Sequence, residues 1–317
     1  MLTSSGDVDE SAAVDVSSLD DLTTEAGGEA SLAYDTQATS ELVELMNRED
    51  RVVPEAVAGA RDELAAAIDA IAEQLRRGGR LVYVGAGSSG RIAAVDAAEC
   101  ESTFSTPPGL VVAVVAGGAH ASPPEQEAAE DDRAAGHEAM RELEVGPKDA
   151  VVGISASGRT PYVLGAIEIA AERGATTIGT VSVESSELAR IADHVIPVVV
   201  GPEFLAGSTR LKAGSAQKLV LNAISTISMI RLGKTFGNLM VDVNATNEKL
   251  RARVLRIVET ATGVSGARAE AAIAAAHGNA KVAIVSLLAE VDAGEARARL
   301  ASAGGSIRVA LDPDDTR

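Results

Sequence analysis

Five short runs of apolar, mostly β-branched residues constrain what this 317-residue chain can fold into. They are residues 81–84, 110–116, 150–154, 176–181 and 195–200, and each gap between them can hold a helix. A strand with one wet face alternates in polarity, whereas a continuously apolar strand is buried on both faces. Buried strands separated by helices assemble as a parallel sheet with helices on both sides. The expected fold class is therefore α/β, a doubly wound parallel five-stranded sheet. Before the sheet, Leu42, Leu45 and Met46 share a helical face. A further helix follows Pro54, carries Val57, Leu64, Ile68, Ile71 and Leu75, and stops at Gly78-Gly79. After the sheet, a helix over 211–232 is apolar nearly all round, as suits a buried helix. Another is expected over about 243–261. Short helical segments then form a small helical domain. The expected division is a disordered acidic tail at 1–23, a sheet domain with flanking helices at 24–262, and the helical domain at 263–317.

In such sheets ligands bind beyond the carboxyl ends of the strands, where the strand order reverses. Two loops belong there. Gly85-Ala-Gly-Ser-Ser-Gly90 follows the first strand, and Ser155-Ala-Ser-Gly-Arg-Thr160 follows the third. Glycine lets a backbone approach a ligand closely, and a helix N-terminus attracts an anion. The first loop matches the G-x-G-x-x-G pattern of dinucleotide sites. That pattern also needs an acid about 20 residues on to hold a ribose. No Asp or Glu occurs between Glu101 and Glu125. The loop also lacks the Gly-Lys-Ser/Thr ending of a nucleotide P-loop. Two hydroxyl-rich loops without a ribose acid suit a phosphorylated sugar better than a nucleotide. The alternative, that the glycines only serve tight turns, explains one such loop more easily than two at matching positions.

Charge and composition remove several classes of partner. The formal net charge is −18, which argues against nucleic acid and anionic membrane surfaces as partners. Residues 1–47 hold eleven Asp or Glu and no Lys or Arg. No apolar run reaches the ~18 residues that a membrane span requires. The N-terminus shows no basic and apolar secretory pattern. One cysteine, Cys100, excludes an intrachain disulfide. Its most economical role is a buried inert thiol, and the cytoplasm is the expected compartment. His120, His137, His194 and His277 have no metal-ligand spacing, so no metal site is expected.

Longer runs carry a specific resemblance. They include Leu81-Val-Tyr-Val-Gly-Ala-Gly-Ser-Ser-Gly-Arg91, Asp96-Ala-Ala-Glu-Cys100, and Val152-Gly-Ile-Ser-Ala-Ser-Gly-Arg-Thr-Pro-Tyr162. Further runs are Gly207-Ser-Thr-Arg-Leu-Lys212 continuing to Asn222, Lys234-Thr-Phe-Gly-Asn-Leu-Met-Val-Asp242, and Ala245-Thr-Asn-Glu-Lys249. Together the chain from about Thr24 onward resembles the N-acetylmuramic acid 6-phosphate etherases. The resemblance implies a sugar isomerase (SIS) domain followed by a small helical domain like a ubiquitin-associated fold. It also implies a homodimer, a small-molecule sugar phosphate as ligand, and no metal or cofactor. The implied reaction splits the D-lactyl ether of N-acetylmuramic acid 6-phosphate by elimination and water addition. Its products are N-acetylglucosamine 6-phosphate and D-lactate, in recycling of peptidoglycan amino sugars.

By residue-for-residue match, the family's two catalytic glutamates fall on Glu99 and Glu130. The expected roles are acid toward departing lactate for Glu99 and base toward the C2 proton for Glu130. The candidate substrate-binding residues are Gly87, Ser88, Ser89, Ser155, Ser157, Thr160, Ser208 and Lys212. For Lys212, Gln217, Lys218 and Asn222, polar residues on a very apolar helix, an interface or capping role is an equal alternative. Asn247, Glu248 and Lys249 match the family without an assignable role. The chain departs from the family at Ala26-Gly-Gly-Glu-Ala30, Glu101-Ser-Thr-Phe-Ser105 and Ser182-Val-Glu-Ser185. Two other readings share the same loops: a sugar-phosphate sensor without chemistry, like the glucokinase regulatory protein, and an aldose–ketose isomerase.

Overall fold

The apolar runs pair edge to edge, all parallel, as β1 (Leu81–Gly85), β2 (Val111–Val115), β3 (Ala150–Ile154), β4 (Thr176–Val181) and β5 (His194–Pro197). This computed structural model describes residues 34–118, 123–243 and 248–312. The expected tail at 1–23 and the departure at Ala26–Ala30 lie outside the described residues, as do His120 and Asn247. The strand order is β2-β1-β3-β4-β5. Neighbouring connections leave β1 in opposite directions, so the order reverses between β1 and β3 and a crevice opens at their carboxyl ends.

Period-two alternation divides the strand residues between two cores. Leu81, Tyr83, Val152, Ile178 and Ile196 point to one face. Helices α3 (Arg61–Arg76), α4 (Gly87–Phe104) and α9 (Lys212–Arg231) cover it, supplying Ile68, Ile71, Ala93, Leu221 and Ile224. Val82, Val84 and Val151 point to the other face, under α6 (Arg133–Glu142), α7 (Pro161–Glu172) and α8 (Glu187–Ile191). Both faces are therefore sealed, which is why the strands read as continuous apolar runs.

Three details differ from the expected pattern. The helix after Pro54 is two helices, α2 (Val52–Gly59) and α3, with the chain stepping out of helical geometry at Ala60 (φ −91°, ψ 22°). They follow α1 (Thr39–Asp50). The gap between β2 and β3, expected to hold one helix, holds two, α5 (Pro123–Glu130) and α6. Asp132 starts the second as an N-cap, accepting a hydrogen bond from the Ala135 amide at 2.9 Å. The last strand stops at Pro197, which has no N–H for a ladder. Val198 still donates to the Val181 carbonyl, and Val198 and Val200 stay in the core.

A third core lies after the sheet. A short hairpin, β6 (Thr235–Phe236) and β7 (Leu239–Met240), precedes α10 (Glu248–Thr262), α11 (Ala267–Ala275), α12 (Ala280–Ala289), α13 (Ala293–Ser302) and α14 (Ile307–Leu311). Val241, Val254, Ile257 and Val258 pack there with Ala269, Ile284, Val285, Leu300 and Ile307, so this core spans both sides of residue 263. Asp242 bridges Lys234 (3.0 Å) and Lys281 (2.8 Å), tying the hairpin region to α12. No single described helix is long and apolar enough to cross a membrane.

Helices α6 and α7 cross where two glycines remove the side chains between them. A Cβ on Gly136 would strike the Tyr162 carbonyl oxygen, and one on Gly165 would strike that of Arg133. Neither obstacle is a movable side-chain tip. Gly165→Ala should therefore lower unfolding stability by about 1–3 kcal/mol, the usual cost of overpacking. Urea denaturation measures this; an unchanged midpoint would show that the two helices can move apart freely.

Candidate functional site

The crevice is built first by the turn from β1 into α4. A Cβ on Gly85 would meet the Gly90 nitrogen at 2.8 Å, and one on Gly90 would meet Val115 Cγ1 at 2.6 Å. These two glycines let the first turn of α4 sit directly on the ends of β1 and β2. Gly87 opens the helix with a positive φ of 51°. The first amides of a helix have no intrahelical acceptor, and its dipole adds positive potential. The start of α4 thus offers donors to an anion at the crevice, beside the hydroxyls of Ser88 and Ser89.

The β3–α7 loop forms the second wall and is held by its own hydroxyls. Ser155 Oγ accepts from the Gly158 amide at 3.0 Å and lies 2.9 Å from Thr160 Oγ1. Ser157 Oγ accepts from the Arg159 amide at 3.2 Å. Gly158 has φ +63°, and a Cβ there would strike Ser186. Pro161 starts α7 without needing an N–H partner. The third wall is residues 207–210, ahead of α9. That helix is capped by buried Glu203, which accepts from the amides of Lys212 (2.8 Å) and Ala213 (2.9 Å).

These walls enclose a cavity of about 500 Å³, with one face of α5 closing its side. Its volume suits a small metabolite. Glu130, at the end of α5, reaches into it. Thr160 Oγ1 donates to Glu130 Oε1 at 3.4 Å, and Glu130 Oε2 lies 3.7 Å from where a Cβ on Gly87 would sit. Burial pushes the Glu130 carboxyl above its ordinary range. The Thr160 hydrogen bond opposes that shift, while neighbouring Asp131 and Glu127 add to it. A carboxylate made more basic in a cavity of donors is suited to proton transfer.

Gly87, Ser88, Ser89, Glu130, Ser155, Ser157, Thr160 and Ser208 all line this one cavity. Lys212 and Glu99 do not. Lys212 is buried, and its Nζ pairs with Glu49 Oε2 at 2.8 Å, so its side chain joins α9 to α1. Glu99 lies twelve residues beyond Gly87 on α4, roughly 18 Å along the axis at the helical rise. Its side chain is 64% exposed and faces Lys218 Nζ at 3.4 Å. Beneath that pair, buried Asp96 accepts from Tyr83 Oη (3.0 Å) and Ser225 Oγ (3.3 Å) and faces Lys218 Nζ at 3.9 Å. Burial raises the Asp96 carboxyl and pushes the Cys100 thiol up to about 12. A thiol so far from ionisation is unreactive.

Arg91 and Arg210 also line the cavity, with Gln126, Glu127 and Thr209, and sequence reasoning did not single them out. Arg91 donates to Gln126 Oε1 (3.0 Å) and Ser88 Oγ (3.3 Å). Its signal was position: it stands four residues after Gly87, one turn up the same helical face. Arg210 stands two residues after Ser208 in the third loop. Both are cations on the lining of a cavity already rich in hydrogen-bond donors. Among the described residues, no cluster of three or more His, Cys, Asp or Glu is placed to hold a metal ion.

Known proteins resemble the chain at two scales. The profile of the glucokinase regulatory protein N-terminal SIS domain matches residues 63–171, and that of the SIS domain matches residues 134–226. The N-acetylmuramic acid 6-phosphate etherase of Rubrobacter xylanophilus is 59% identical over 293 residues, covering 92% of this chain and 97% of that one. The etherase of Streptomyces coelicolor is 52% identical over 93% of this chain and 95% of that one. An Escherichia coli etherase is 48% identical over 93% and 99%.

The raised Glu130 carboxyl makes a stability prediction. A group whose folded pKa lies above its unfolded value favours folding while protonated, and that contribution is lost as pH rises through the folded value. At neutral pH the buried charge is a burden. Glu130→Gln should therefore melt at a higher temperature than the parent at pH 7, with the difference shrinking below the ordinary carboxylate range. A neutral-pH melting temperature lower than the parent's would show that the ionised carboxylate is a net stabilising partner.

Proposed function

The chain belongs to the N-acetylmuramic acid 6-phosphate etherase family, and from that premise we propose how its residues divide the reaction. The protein is a carbon–oxygen lyase. It cleaves the D-lactyl ether of N-acetylmuramic acid 6-phosphate, giving N-acetylglucosamine 6-phosphate and D-lactate, in peptidoglycan amino-sugar recycling. The observation that carries the assignment of roles is Glu130, held by Thr160 inside the cavity of the serine loops.

The phosphate binds among the first amides of α4, Ser88, Ser89, and the hydroxyls of Ser155, Ser157 and Thr160, with Ser208 on the opposite wall. Arg91 and Arg210 supply the opposing charge, as guanidinium forks do for phosphate and carboxylate. The sugar reacts in its open form, where the C1 aldehyde acidifies the proton on C2. Glu130 removes that proton. The electrons move into the C2–C3 bond, the C3–oxygen bond breaks, and lactate leaves as its ether oxygen takes a proton from Glu99. Water then adds to C3 of the unsaturated aldehyde, giving a proton to Glu99 as C2 recovers one from Glu130. Both carboxyls end as they began.

This scheme needs both carboxyls within hydrogen-bond reach of neighbouring atoms of one sugar. Glu99 does not line the cavity that holds Glu130 in the same chain. A homodimer resolves this when Glu99 of one protomer completes the cavity of the other. The exposed surface around Glu99 supports the arrangement: Val95 and Leu219 are large apolar residues open to solvent there. We place the reaction in the cytoplasm, where a lone cysteine stays reduced.

The test is D-lactate release from N-acetylmuramic acid 6-phosphate by the parent, by Glu99→Ala, by Glu130→Ala, and by the two variants refolded together. Each variant alone should lose at least ~10²-fold, the usual contribution of a proton-transfer group. The mixture should recover about one quarter of parental activity, because half of randomly formed dimers are mixed and each has one intact shared site. No recovery in a mixture proven to contain mixed dimers would place both glutamates on one chain's site or remove Glu99 from the chemistry.

A further inference from the structure

A second and larger cavity, about 880 Å³, lies where the sheet domain meets the C-terminal helices. Arg76 from the end of α3, Arg231 from the end of α9 and Arg308 from α14 all line it. No Asp or Glu is among its lining residues, although the chain carries a net charge of −18. Arg231 meets Asp69 only at 3.5 Å, with both side chains more than half exposed. Arg76 pairs with Glu73 of its own helix. Arg308 lies over the Phe236 ring, with its Cζ 5.4 Å from the centroid. Among the described residues it is matched by no carboxylate.

The rest of the wall is suited to close approach. Gly233, Gly237 and Gly304 have positive φ values of 69°, 58° and 60°, so bare backbone faces the space. Ser306 Oγ accepts from the Val309 amide at 3.4 Å, which leaves its hydroxyl proton free to donate into the cavity. The Gly233 backbone passes so near Ser306 that an added Cβ would lie 3.1 Å from its Cα, so the walls belong to two packed units. Three arginines, hydroxyl donors and glycine backbone lining one cavity at a junction between packed units suit a small anion. This cavity shares no lining residue with the one that holds Glu130.

We propose that this junction cavity binds a phosphomonoester of small-metabolite size. The guanidinium forks match a phosphate dianion. The volume is that of a small-molecule site, and the chain's overall negative charge disfavours a polyanion. A bound phosphate would draw α3, α9 and α14 together and so couple the helical domain to the sheet domain.

The experiment is calorimetric titration with inorganic phosphate, using the full chain carrying Ser155→Ala and Ser157→Ala to weaken the other cavity. Phosphate binding should persist in that protein. It should weaken at least tenfold when Arg231→Gln and Arg308→Gln are added, and only partly with Arg231→Lys, which keeps the charge but loses the fork. D-lactate release in the otherwise parental chain should survive Arg231→Gln, showing that the fold is intact. Phosphate binding lost with the serines alone, or unchanged by the arginine substitutions in a folded protein, would overturn the proposal.

Discussion

The contact between the first turn of α4 and the carboxyl ends of β1 and β2 is the constraint on which this structure depends. There is no room for a side chain at Gly85 or Gly90. That absence brings a helix N-terminus to the edge of the sheet, where its amides look into the crevice between β1 and β3. The same turn fixes Ser88, Ser89 and Arg91 on one wall and holds Gly87 against Glu130. The serine loop after β3 reaches the same space only because β1 and β3 are neighbours in register, with Gly85 opposite Ile154. Parallel pairing thus converts two loops far apart in sequence into facing walls.

Much of this was legible in the sequence because it is local or periodic. Strands β3 and β4 coincide with the expected residues, since unbroken apolar or β-branched runs mark them sharply. Seven of the eight expected binding residues meet in one cavity because loops after alternating strands must meet at the switch point. The helix breaks at Ala60 and before Asp132 were harder. Ala60 has no breaker chemistry, and Asp132 was submerged in an acidic run. Lys212 could not be placed by pattern. Its backbone amide belongs to a cap on Glu203, and its side chain answers Glu49, more than 160 positions earlier. Long-range ion pairs of that kind leave no trace in spacing. The hairpin at 235–240 was missed because each strand is only two residues long.

Glutamate placement shows how far one chain can carry the chemistry. The two carboxyls are 31 positions apart in sequence and sit in contrasting environments. Glu130 is partly withdrawn from water, hydrogen-bonded to Thr160 and raised in pKa by burial. Glu99 is open to solvent beside Lys218, above the buried Asp96–Tyr83–Ser225 cluster. The proposed scheme asks these two carboxyls to exchange acid and base roles within one turnover. Their separation on this chain is the physical reason to expect a second protomer at the reaction centre.

The central claim is that Glu130 exchanges the C2 proton inside the serine-loop cavity. Proton NMR of N-acetylmuramic acid 6-phosphate turnover in heavy water tests it most directly. The parent should release N-acetylglucosamine 6-phosphate carrying deuterium at C2, because the proton taken up by Glu130 exchanges with solvent before Glu130 returns one to C2. Glu130→Gln should leave the C2 proton of the substrate in place, whereas Glu99→Gln should still wash it out while releasing little lactate. Loss of the C2 proton at the parental rate in folded Glu130→Gln would contradict the account, because the base would then have to be another group.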